Sequence, residues 1–154
     1  MNASGKSGHG IMAHIAAESP TARGGAVTGA PLAILKAEGL VVFALATFAY
    51  SSTGQSWWAY LILFLFPDLS FLAYAAGARP GAAVYNALHS YVGPALVGFA
   101  GYEDGQPVAI ALALIWAAHI GFDRMLGYGL KYATAFGDTH LGLKGLARKE
   151  EETT

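Results

Sequence analysis

Three stretches of this chain, residues 39–67, 80–102 and 105–122, contain no Asp, Glu, Lys or Arg at all. A hydrocarbon core about 30 Å thick is crossed by roughly 20 helical residues rising about 1.5 Å each. The charge-free stretches run to 29, 23 and 18 residues, close to that length or longer, and the composition agrees: 55% of residues are hydrophobic and 12% charged, against roughly 25% charged in ordinary soluble domains. A chain built this way folds in a bilayer. Its formal net charge of −1 offers nucleic acid no basic face. With no cysteine there is no disulfide, thiolate nucleophile or Cys-ligated metal.

The spacing predicts four spans, at about residues 32–51, 57–76, 82–101 and 107–126. Trp57-Trp58 opens the second as an interfacial pair, and Pro67 is expected to kink it. Pro107 suits the first turn of the fourth. Residues 1–30, rich in Gly, Ala and Ser and broken by His14, Glu18, Pro20 and Arg23, read as a flexible tail without a cleaved leader. The membrane domain then covers residues 31–144. Its last part, from Gly127 on, is too broken by glycine to span again and is expected at the interface; residues 145–154 are a charged tail. Short connections make neighbouring spans antiparallel, giving an all-α, up-down four-helix membrane bundle. All nine Lys and Arg fall on the side of the termini and none in the two opposite loops. The positive-inside rule makes that side cytoplasmic, in a bacterial inner membrane.

Each span carries polar groups that hydrocarbon penalises. Counted from the cytoplasmic boundaries, Glu38 lies roughly 9 Å deep, Asp68 roughly 12 Å, and His89 and His119 roughly 10 Å. Asn86 shares a helix face with His89, and Asp123 with His119. Carboxylate and imidazole suit zinc, manganese or iron. His89, His119, Asp68 and Asp123 are therefore candidate ligands of a divalent metal, Asn86 an outer support, and Glu38 a candidate general base for a metal-bound water. His140 is a further candidate ligand if its turn folds back. Arg124 and Lys131 are candidate contacts for anionic lipid headgroups. The competing reading is that the polar groups satisfy one another and fix helix register; a proton or ion relay is the third. Gly93, Gly98 and Gly101 permit close helix approach, within the chain or to a second copy or another membrane protein.

The motifs Pro67-Asp68, Tyr85-Asn86-x-x-His89, Trp116-x-x-His119-Ile-Gly-Phe-Asp123-Arg124-x-x-Gly127-Tyr128-Gly129-Leu130-Lys131-Tyr132 and Phe136-x-Asp138-Thr139-His140-Leu141-Gly142 resemble the bacterial family called domain of unknown function 4260. The resemblance runs over about residues 33–144. It implies a small multi-pass membrane protein and carries no activity across.

Overall fold

The computed structural model describes residues 26–143. The 145–154 tail and all but the end of the 1–30 tail, with His9 and His14, lie outside the described residues. Helix α1 covers Gly29–Ser51. It ends in a turn in which the Thr53 hydroxyl donates to the Tyr50 carbonyl at 2.7 Å, and Gly54 takes the left-handed φ of 71°. Ser56 starts α2, Trp57–Phe64, its side chain accepting from the Trp58 N–H, a standard N-cap. After Leu65 the chain tightens into a 3-10 run, Phe66–Ala76. Pro67 at its start has no N–H for an α-helical bond, and the Asp68 N–H turns to the Leu65 carbonyl instead.

The third span departs from expectation. It is two helices, α3 over Ala78–Leu88 and α4 over Val92–Glu103, parted at His89–Tyr91. Pro94 supplies the reason: it sits in the first turn of α4, and a helix running through from α3 would bring its ring against the carbonyl four residues back. Helix α5, Pro107–Leu126, is continuous and ends at Gly127, whose φ of 83° lets Tyr128 N–H close back on the Asp123 carbonyl at 2.7 Å.

Helix α5 forms the centre of an all-α bundle, packed against α1, α4 and α2, with Ala118, His119 and Ile120 among its buried residues. Glycines set the closest crossings. A Cβ on Gly39 would lie 2.6 Å from the Arg124 Cβ, and one on Gly121 would lie 2.7 Å from the Phe43 backbone N, so α1 and α5 meet backbone to backbone. Gly93, Gly98 and Gly101 likewise face Trp116, Ala113 and Ala109 of α5, and their close approach is within the chain. Outward, the surface is apolar: Phe48, Trp58, Ile62 and Leu72 are each more than 70% exposed. Gly29–Ser51, Trp57–Ala76 and Pro107–Leu126 are long and apolar enough to cross a membrane. An apolar exterior over helices of that length marks a membrane protein.

The segment after α5, expected to lie loosely at the interface, is a strap laid on the bundle. It closes with a small antiparallel hairpin, β1 (Asp138–Thr139) and β2 (Gly142–Leu143), bridged to Lys131. The Asn86 side chain clamps it to α3, its amide donating to the Lys131 carbonyl at 2.9 Å and its oxygen accepting the Lys131 N–H at 2.7 Å.

Candidate metal centre

Both helix interruptions open onto one buried spot. Asp68 stands just beyond the α2 break, His89 is the residue on which α3 ends, and His119 and Asp123 share a face of α5 four residues apart. The two imidazoles are 2% exposed, Asp123 is largely covered, and Asp68 is the most open of the four.

The α3 break holds His89 in place from three directions. Its backbone N–H and its Nδ1 both meet the Tyr85 carbonyl, at 2.8 and 2.9 Å. Its ring stacks on that of Tyr85, centroids 3.7 Å apart and planes 11° from parallel. The carbonyls that the break leaves unpaired are taken by α5: Trp116 Nε1 donates to Leu88 at 2.6 Å, and Arg124 Nη2 to His89 at 3.3 Å. Orphaned carbonyls at membrane depth need such partners. Tyr85 also reaches Asp123, its hydroxyl donating to Oδ2 at 3.3 Å.

With the Nδ1 of His89 committed to the Tyr85 carbonyl, its Nε2 faces the cluster. It lies 3.2 Å from His119 Nε2, 3.6 Å from Asp68 Oδ1 and 3.5 Å from Asp123 Oδ2. His119 Nε2 is 3.6 Å from the same Asp68 oxygen and 3.8 Å from the same Asp123 oxygen. One ligand atom from each residue thus falls within 4.8 Å of all the others. A tetrahedral zinc with bonds of 2.0–2.2 Å would have ligand–ligand edges of roughly 3.3–3.6 Å. Five of the six edges are already 3.2–3.8 Å, and the sixth, between the carboxylates, is within 4.8 Å. With both imidazoles neutral, the two carboxylates would match the charge of one divalent cation. Two carboxylates and two imidazole nitrogens drawn together where little water reaches are groups that a cation would suit. Among the described residues the Nδ1 of His119 has no hydrogen-bond partner. The Phe64 carbonyl, which the kink frees from the helix ladder, lies near it without reaching hydrogen-bond geometry.

The remaining sequence candidates lie elsewhere. Glu38 is exposed on the wall of a separate cavity, shared with Arg124 and His140. Gly39 makes the contact with α5, so its neighbour points roughly 100° away around the helix; depth alone did not fix that direction. His140 is no ligand of this group, because its Nδ1 meets the Leu130 N–H at 2.8 Å and its Nε2 faces Arg124. Asn86 supports the strap and touches none of the four. Arg124 gives Nη2 to the His89 carbonyl and Nη1 to the His140 ring. Lys131 is buried, 8% exposed, its ammonium donating to the Phe136 carbonyl at 2.9 Å and lying over the rings of Phe136, Tyr85, Phe71 and Tyr74. Burial pushes it down to about 8. Tyr85 and Trp116 were not singled out from sequence as site residues. The signal for Tyr85 was its place one helical turn before His89.

A helical membrane bundle with a buried two-histidine, two-aspartate cluster at paired helix breaks is the class this structure defines. The chain belongs to the family Domain of unknown function (DUF4260), whose description matches residues 32–143. No curated protein and no solved structure matches the chain.

Proposed function

We propose that the protein is a multi-pass membrane metalloprotein in which Asp68, His89, His119 and Asp123 hold one divalent cation. Zinc comes first, with iron or manganese as the alternatives. The observation that carries this is the set of five near-tetrahedral distances among the four ligand atoms, all between 3.2 and 3.8 Å. Such a cation would supply Lewis acidity and acidify a bound water. Asp68, the least covered ligand, is the side from which a membrane-soluble substrate would arrive for acid–base chemistry, and the Tyr85 hydroxyl on Asp123 orients the opposite side. The chain is read as crossing a bacterial inner membrane four times, the broken α3–α4 run included, with both termini cytoplasmic.

The test is metal analysis of the full chain purified in detergent, beside His89→Ala and His119→Ala. About one equivalent of metal in the wild type and its loss in both variants is the expected result. Wild-type protein that retains no metal after zinc loading sinks the proposal. A second reading, that the cluster only fixes helix register, draws on Tyr85 and Arg124, which tie the α3 break to α5. It predicts metal-free protein of the same stability with and without zinc.

A further inference from the structure

A cavity of about 690 Å³ opens between α1, α5 and the strap, lined by Ile34, Leu35, Val41, Val42, Tyr91 and Leu141, with Arg124 and His140 at one corner. The corner holds too many donors. Burial and the Arg124 guanidinium hold the His140 imidazole below its ordinary range, so the ring is neutral, with one N–H and one lone pair. Two donors point at it: Leu130 N–H lies 2.8 Å from Nδ1 and Arg124 Nη1 3.0 Å from Nε2. If Nδ1 accepts, the Nε2 proton meets the guanidinium. If Nδ1 carries the proton, it meets the Leu130 N–H and has only the Leu130 carbonyl, 3.4 Å away, as an acceptor. Either tautomer leaves a donor unmatched beside a partly buried cation. Among the described residues the ion-pair contacts all join the two cluster imidazoles to Asp68 and Asp123; Arg124 takes part in none, and neither does Glu38 on the same wall.

We infer that this cavity binds a single-chain anionic amphiphile, a fatty carboxylate, with its oxygens at Arg124 and His140 and its chain along the α1 wall. An anion supplies the acceptors the corner lacks, and the charge-assisted bonds it forms are the strong kind. The apolar lining selects a tail as well as a charge. Scaled from the roughly 150 Å³ that accommodates benzene, the space holds roughly 25–30 non-hydrogen atoms, about one long acyl chain. The inference does not rest on metal at the cluster.

Binding of tritiated dodecanoate to the full chain in non-ionic detergent tests it, with metal-loaded and chelator-treated samples compared. Saturable binding near one per chain is expected in both. Unlabelled dodecanol, inorganic phosphate and phosphatidylglycerol should compete at least roughly tenfold more weakly, and Arg124→Gln should weaken binding by at least roughly tenfold. Ala37→Phe, which fills the cavity from its exposed α1 wall, should do the same and decides the matter if Arg124→Gln does not fold. Equal competition by dodecanol reduces the effect to apolar partitioning, and equal competition by phosphatidylglycerol or phosphate refutes the single-chain assignment. Undiminished binding in Ala37→Phe overturns the proposal.

Discussion

The cluster and the Arg124–His140 corner sit on two sides of one helix end and have opposite defects. Toward the cluster, His89 turns its Nε2 to a second imidazole nitrogen and two carboxylates. Toward the corner, its carbonyl receives Arg124, whose guanidinium then crowds a ring already approached by the Leu130 N–H. One side has more acceptors than donors, the other more donors than acceptors. Buried polar groups are almost always matched, so the sign of each mismatch names the sign of what belongs there: a cation in the first, an anion in the second. Interrupting α3 produces both, because a break in a membrane helix releases backbone groups and lets the side chains that satisfy them come from other elements.

The largest expected effect breaks the comparison on the cation side. Zinc at a hundred times its dissociation constant stabilises a protein that binds it only when folded by about 2.7 kcal/mol. Thermal unfolding in detergent should therefore rise with added zinc in the wild type and stay level in His119→Ala. An equal rise in the two proteins would place the zinc outside the cluster and leave its four converging side chains unexplained.

Much of the cluster was legible in the sequence, because polar residues in apolar runs stand out and counting along a helix fixes their level. His119 and Asp123, four apart on a continuous helix, meet Asp68 and His89 within 4.8 Å. Glu38 satisfied the same count and lies elsewhere, because level says nothing about direction around the axis. Pro67 gave away the first interruption. Pro94 carried the same information for the second, yet the span around it was read as one unbroken helix. The corner was legible only in part: Arg124 and His140 stand out as polar residues, but the other donor is the Leu130 N–H, on a strap whose course depends on the Asn86 clamp, and no periodicity encodes that.

A smaller effect asks whether the two regions are one site. Arg124→Gln leaves the His89 carbonyl without its donor, at a cost of about 1–3 kcal/mol in stability, and removes the cation from the cavity. The metal content should not change, because the His89 ring is held by Tyr85 on its other side. Loss of metal together with stability would join the regions into a single site and cancel the comparison.

A third effect concerns the strap, whose consecutive residues serve the two regions: Leu130 gives its N–H to the corner, and Lys131 lies over the Tyr85 ring that backs His89. Lys131 is held near 8 in the folded chain by burial and returns to about 10.4 when unfolded. Between those values the unfolded chain binds the extra proton, so stability rises with pH across roughly pH 8 to 10.4 and is lower by that contribution below pH 8. In Lys131→Met, which keeps the apolar stem and removes the charge, this part of the rise should vanish. Unfolding midpoints at pH 7.5 and 9.5, with both proteins in the same detergent, measure it. Parallel slopes would mean that the ammonium is solvated in the folded protein, and the strap would then not be closed over Tyr85 as tightly as its ring contacts require.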